Sequence, residues 1–279
     1  MTKIQWTEKV WNPSTGCDRI SDGCTNCYAM SMAKRLKGME QARGEKNPKY
    51  QNDGDPRTSG PGFGLTVHPG ELDKPLAWRK PQRIFVNSMS DLFHARVPVA
   101  FIVQVWRTMQ ATPQHNYQIL TKRPERLVRV LDRVYDALEL DGPLPNVWLG
   151  TSVESDEYVR RIDALAEVRA AVLFVSAEPL LGPLPSADFT GIDWVIIGGE
   201  SGPGARPFQP QRATDLIDQA RAAGAAPFVK QLGTVWARDT THAGQPVAAY
   251  GDTKGGKPQY WPAHLRVREY PKTEAAADA

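Results

Sequence analysis

The chain has 279 residues, 41% of them hydrophobic and 23% charged, a composition that excludes a wholly disordered, collagen-like or coiled-coil chain and leaves room for a large core. Lys and Arg number 34 and Asp and Glu 31, leaving a net charge of +3, which permits a local basic patch without defining a nucleic-acid binder. No apolar run approaches the roughly 18 residues of a membrane span, and Met1–Glu8 lacks a signal-peptide core, so a cytoplasmic protein without a membrane partner is expected.

In chain order, Ile4-Gln5-Trp6 is a candidate first strand, and the only three cysteines follow at positions 17, 24 and 27. Residues 38–62 are crowded with Gly, Pro, Asn and Asp and predict a long excursion from the first helix. Leu65-Thr66-Val67 is a further candidate strand. From Ile84-Phe85-Val86 one pattern recurs: an apolar run, a polar turn, then a helical stretch. The later runs are Tyr117-Gln118-Ile119-Leu120, Val147-Trp148-Leu149, Val172-Leu173-Phe174-Val175, Trp194-Val195-Ile196-Ile197 and Phe228-Val229. Short, β-branched and aromatic, they suit strands buried on both faces of a parallel sheet. Between them, Val97–Met109 predicts a helix. Leu127, Val130, Leu131, Val134 and Leu138 share one helix face, as do Ala213, Leu216, Ile217 and Ala220, with Gly224 as a C-terminal stop.

This alternation predicts an α/β fold: a partial or complete β/α (TIM-like) barrel of six to eight units. No Gly-x-Gly-x-x-Gly turn follows the first strand, and the glycine-rich Gly198–Gly202 loop is a weak phosphate signal by itself. The expected organisation is one domain, with the barrel and cysteine loop over 1–233, an irregular extension over 234–272 and a disordered tail over 273–279.

The cysteine spacing is C-x6-C-x2-C. A C-x2-C pair lets two thiolates converge from a tight turn, and a third completes a three-point attachment for zinc or an iron–sulfur centre. Structural zinc prefers four protein ligands, and the nearest histidine is His68. A three-thiolate cluster leaves one iron open for chemistry. Ordinary buried cysteines, or a redox pair of Cys24 and Cys27, are the simpler readings of the same residues.

The phrase from Trp11 to Ala29 resembles a three-cysteine family of unknown function found in phages and bacteria, which itself resembles a divergent branch of the radical S-adenosylmethionine (SAM) enzymes near the spore photoproduct lyase group. The resemblance extends over Phe85–His94, Leu120–Pro124, Trp148–Glu154, Glu178–Pro183, Gly198–Gly202 and Lys230–Gly233. It implies that Cys17, Cys24 and Cys27 each bind one iron of a 4Fe–4S cluster and that SAM chelates the fourth. It implies further that an external electron donor drives cleavage of SAM to a 5′-deoxyadenosyl radical. Radical SAM enzymes usually space these cysteines C-x3-C-x2-C with an aromatic before the last. Here the first gap is six and that position is Asn26, with Tyr28 following the motif.

If the strands form a β/α barrel, reacting groups belong at their C-terminal ends. The polar residues there nominate Ser88, Asp91, Lys122, Thr151, Ser152, Glu178, Glu200 and Lys230 as cofactor-binding positions. Asn87, Thr121, Arg123, Glu154, Ser176, Ser201 and Gln231 stand beside them. Glu178 and Glu200 are the leading ligand contacts, and pairing with Lys122, Arg123 or Lys230 is their structural alternative. Basic residues at Lys34, Arg35, Lys37, Arg43, Lys46 and Lys49, at Lys122, Arg123, Arg126 and Arg129, and at Arg79, Lys80 and Arg83 beside Trp78 nominate nucleic acid as a possible partner, although helix surfaces are commonly just as basic. His68 and His94 trail strands and are possible acid–base groups. The leading expectation is therefore a radical SAM-type iron–sulfur enzyme. The alternative is a non-catalytic barrel, stapled by zinc or a cluster, that binds nucleic acid or a partner protein.

Overall fold

A computed structural model describes residues 4–46, 48–52, 59–60 and 62–272. Near the N-terminus, β1 (Lys9–Trp11) and β2 (Ser14–Thr15) precede the cysteine loop. Helix α1 (Tyr28–Ala42) starts immediately after Cys27, and β3 (Thr66–Val67) follows. The alternating series comprises β4 (Arg83–Val86), α2 (Val99–Gln110), β5 (Asn116–Thr121), α3 (Pro124–Ala137), β6 (Val147–Ser152), α4 (Arg160–Ala166), β7 (Val172–Ala177), β8 (Trp194–Gly198), α5 (Pro210–Ala222) and β9 (Ala226–Gln231). Short α6 (Thr234–Asp239), β10 (Thr241–His242) and β11 (Gln245–Pro246) complete the set.

The chain divides into two compact units, one of residues 1–149 with 168–171 and the other of residues 150–167 with 172–279. In the first unit the strand order is β1-β4-β5-β6, and β4 runs parallel to both β1 and β5. In the second the order is β6-β7-β8-β9, and β8 runs parallel to both β7 and β9. Strand β6 belongs to both, its first half in one unit and its second half in the other. The α/β class and the parallel strands agree with the alternation in the sequence.

Each unit has its own core. In the first, Leu127, Val130, Leu131 and Val134 of α3 are buried, as are Trp11, Ile84, Ile102, Trp106 and Tyr117. In the second, Leu216, Ile217 and Ala220 of α5 are buried together with Phe174, Trp194, Ile196 and Phe228. Burial of each such large aliphatic side chain contributes roughly 1.5–3 kcal/mol. Gly224 has φ +82° and ends α5 as its sequence position suggests. The extension is irregular but anchored. Val229 N–H donates to the Val267 carbonyl, Trp194 Nε1–H donates to the Glu269 carbonyl, and Tyr270 stacks on Trp194 at 5.3 Å.

Two strand assignments need correction. Leu65-Thr66-Val67 does not join the parallel series: Thr66 and Val67 pair antiparallel with Thr15 and Ser14. At the start, Gln5 and Trp6 lie in a turn and the strand is Lys9–Trp11. The Trp6 ring is buried from this turn, packing edge-on against Phe85 at 4.7 Å. Parts of the 38–62 excursion and the whole of the 273–279 tail lie outside the described residues.

Candidate functional site

The cysteine loop belongs to the first unit and is pinned at several points. Gly16 N–H donates to the Met89 carbonyl, and Cys17 N–H donates to the Phe63 carbonyl. Gly16 has φ +88°, and a Cβ there would stand 2.1 Å from the Gly64 carbonyl oxygen, so only glycine admits this approach. Asn87 has a backbone φ of 60°, and its side chain accepts from Ser14 N–H at 3.4 Å and donates to Ser14 Oγ at 2.9 Å. Ser88 Oγ donates to Asn12 Oδ1 at 3.3 Å, and its carbonyl accepts from the Tyr28 hydroxyl at 2.6 Å.

Cys17 has the most elaborate surroundings of the three thiols. Its Sγ donates to the Asp18 carbonyl at 3.5 Å and accepts from Arg123 Nη1 at 3.5 Å. Burial, reinforced by the Asp91 charge, pushes this thiol up to about 12 against the pull of Arg123. Cys27, at the N-cap of α1, is also raised by burial, while the Met30 and Ala29 amides and the Lys122 charge work against it. Cys24 is buried, and its carbonyl accepts from Cys27 N–H at 3.4 Å. Cys17 and Cys27 both pack against the cluster of Ala29, Ala33, Phe63 and Met89. Yet among the described residues no three His, Cys, Asp or Glu side chains are arranged to hold a metal ion.

Behind the thiols, Asp91 organises the end of β5. Its carboxylate accepts from Thr121 Oγ1 at 2.7 Å, Phe93 N–H at 2.9 Å, Lys122 N–H at 3.1 Å and Arg123 Nη1 at 2.9 Å. Arg123 is thus held between a carboxylate and a sulfur. Burial lowers its pKa, but the Asp91 and Cys17 charges outweigh that and raise it. On the other side of the loop, Asp18 accepts from Ser59 Oγ, from His94 Nε2 at 2.8 Å and from Arg96 Nη2 at 3.4 Å. Because His94 Nδ1 accepts from Arg96 N–H at 3.2 Å, its Nε2 carries the proton given to Asp18. Burial raises the Asp18 carboxyl, but these donors hold it below the usual range; burial lowers His94, with Asp18 only partly opposing.

The strand ends of the second unit are internally satisfied. Glu178 accepts from Lys230 Nζ at 2.7 and 2.8 Å and from Gln231 Nε2 at 3.0 Å. Gly198 leaves space for that carboxylate, since a Cβ there would stand 3.0 Å from Glu178 Cδ. Glu200 accepts from Arg206 through its backbone N–H at 2.8 Å, Nε at 2.9 Å and Nη2 at 2.7 Å. Glu154, fully buried, accepts from Arg161 Nη1 at 3.0 Å, a guanidinium that also donates to the Ser152 carbonyl. Thr151, Ser152 and Ser176 are buried.

The nominated positions thus fall into two sets. Ser88, Asp91 and Lys122 lie in the unit of the cysteines; Thr151, Ser152, Glu178, Glu200 and Lys230 lie in the other. Of the pairings weighed from sequence, Glu178 with Lys230 is present, whereas Glu200 pairs with Arg206. Arg206, Arg161 and Asp18 were not anticipated; only Asp18, beside Cys17, carried a positional signal. Parts of the basic runs have partners of their own: Lys49 pairs with Glu71, Arg43 lies 3.7 Å from Glu45, and Arg83 lies 3.6 Å from Glu8. His68 Nε2 is bonded to Thr15 Oγ1 at 2.9 Å, and burial lowers its pKa. No described helix is long and apolar enough to cross a membrane.

A family model described as "Protein of unknown function (DUF5131)" matches residues 1–262. The chain belongs to this family. The DUF5131 match takes in the cysteine loop and every strand named above. No curated protein and no solved structure matches the chain.

Proposed function

We propose that this DUF5131 protein is a radical SAM-type iron–sulfur enzyme on a partial β/α barrel, with Cys17, Cys24 and Cys27 as ligands of a 4Fe–4S cluster. The observation that carries the reading is the packing of the cysteine loop: Cys17 and Cys27 lie against one apolar cluster, Cys27 N–H donates to the Cys24 carbonyl at 3.4 Å, and the Arg123 guanidinium donates to Cys17 Sγ at 3.5 Å. Three soft thiols match the donor chemistry and the number such a cluster requires when one iron is left to SAM. They are not gathered in advance, so binding must expel their protons and draw the loop inward, which couples metal uptake to local folding. When bound, the cluster would supply one electron to SAM, giving methionine and a 5′-deoxyadenosyl radical that abstracts hydrogen from a substrate.

The chain's own residues have separable tasks. Arg123 donates to the Cys17 sulfur and offsets thiolate charge, as hydrogen-bond donors around cluster sulfurs do. Asp91 fixes Arg123 in that position. Lys122 brings positive charge within reach of Cys27. Gly16 and Asn87 hold the loop against β3 and β4.

The test is anaerobic reconstitution with iron and sulfide. About four irons per chain, broad visible absorption and release of 5′-deoxyadenosine from SAM on reduction are expected, all lost when the three cysteines are replaced by alanine. Protein that takes up zinc alone and does not bind SAM in a calorimeter would instead be the metal-stapled binding module.

A further inference from the structure

The irregular extension after β9 carries a group of aromatic side chains that neither the cysteine loop nor the strand ends use. His242 of β10, Tyr250 and Tyr260 pack ring to ring, with centroids 5.0 to 5.7 Å apart. His242 is exposed, Tyr250 is 37% exposed and Tyr260 is half-buried. The group is held in shape. The Tyr250 hydroxyl donates to the His242 carbonyl at 2.8 Å, and Lys257 Nζ donates to the Tyr250 carbonyl at 3.1 Å. Rings in direct contact leave no room between them to cage an alkylammonium group. What they offer a partner is an outward aromatic surface, wider than any one side chain.

The free charge around these rings has one sign. Between positions 234 and 272 the only acids are Asp239, Asp252 and Glu269, and each is engaged. Asp239 pairs with Arg238 and Glu269 with Arg221. Asp252 is buried and accepts from the Gly256 and Lys257 amides at 2.7 and 2.9 Å. Lys254 and Lys257 are exposed, and among the described residues neither is in an ion pair.

The same segment lies against the carboxyl end of β9. Leu232 N–H donates to the Gly255 carbonyl at 2.8 Å and Gly233 N–H to the Lys254 carbonyl at 2.9 Å. Arg268 Nη2 donates to the Lys230 and Gly256 carbonyls, each at 2.9 Å. The backbone of Lys254 is thereby fixed beside the strand end where Glu178 and Lys230 meet. That is the end of a parallel sheet at which α/β proteins take their ligands.

We propose that this extension binds a single strand of nucleic acid, with bases stacked on His242, Tyr250 and Tyr260 and phosphates paired with Lys254 and Lys257. A single strand presents flat π-faces and regular negative charge together, and the surface complements both. An acidic peptide supplies only the charge. No metal takes part, so the inference stands independently of the cluster reading.

The experiment is fluorescence anisotropy of a labelled thymidine strand of about twelve nucleotides with the metal-free, full-length protein. Two phosphate contacts should make log K fall by about 1.4 per decade of salt, and Lys254→Ala/Lys257→Ala should remove that dependence. Tyr250→Ala should weaken binding about fivefold or more, whereas Tyr250→Phe, which keeps the ring, should stay close to wild type. A uridine strand separates RNA from DNA, and binding of either with these signatures upholds the proposal. An abasic strand of equal length that binds wild type as tightly as the thymidine strand overturns it, because charge alone would then suffice. So does displacement of the thymidine strand by polyglutamate of equal charge, wild-type affinity in Tyr250→Ala, or absence of binding at low salt.

Discussion

Cys17 is pulled in two directions, by a burial that favours the neutral thiol and by a guanidinium that favours the thiolate. Burial dominates, with the sulfur pushed up to about 12. In metal-free protein at pH 8 its thiolate fraction is therefore minute. Iodoacetamide should modify Cys17 about a thousandfold more slowly than an unstructured cysteine, as read by peptide mass spectrometry over time. Labelling at the free-thiol rate would show that the loop does not bury this sulfur. The C-x6-C-x2-C spacing was legible in the sequence and so was the polarity of Thr121-Lys122-Arg123. The contact joining them was not, because Arg123 lies 106 residues from Cys17 and no local pattern encodes such a separation. Arg206 was less legible still: nothing distinguishes it from other surface arginines until the chain returns it onto Glu200.

Elements with periodicity were legible, and those defined only by pairing were not. Helices α3 and α5 announce themselves through repeating apolar faces, and β4 to β9 through β-branched and aromatic runs. Strands β2 and β3 span two residues each, too short for any alternation, so Leu65-Thr66-Val67 looked like another sheet strand. Strand β1 begins with a lysine and follows a more apolar turn. What fixes β2 and β3 together is backbone approach at Gly16. Gly16→Ala forces a side chain into the Gly64 carbonyl and a left-handed φ onto alanine, and should destabilise the protein by about 3 kcal/mol. Urea denaturation measures the loss; a midpoint unchanged from wild type would mean that the loop yields freely.

At the level of the molecule, the strands of the series were readable, but β7 passes to β8 with no helix between them, and the division into two units sharing β6 was not readable, since no linker marks it. Stability should also carry the signature of the Asp18–His94 pair. The His94 value in the fold lies below its ordinary 6.5. Between the folded value and 6.5 the unfolded chain binds more protons, so stability rises with pH across that window and levels off above it. Asp18 is lowered as well; its contribution is full above the unfolded carboxyl value of about 3.9 and is lost as pH falls through the folded value. Both effects act in one direction, so urea midpoints should fall steadily on acidification below about pH 6.5. His94→Asn should reduce the upper part of that slope, which His68, lowered as well, shares, and a wild-type midpoint that rises between pH 7 and pH 5 would contradict the assignment.

The long separation between Cys17 and Arg123 also has a meaning in time. The cysteines leave the ribosome before Phe63, Met89, Asp91 and Arg123, which bury and polarise them, the last of these 106 residues after Cys17. At ordinary synthesis rates of about 5–20 residues per second, that is on the order of 5–20 s. During this interval the thiols have no Arg123 beside them and no closed loop around them. The nascent chain thus depends on a reducing milieu for its thiols in a way that the finished fold does not.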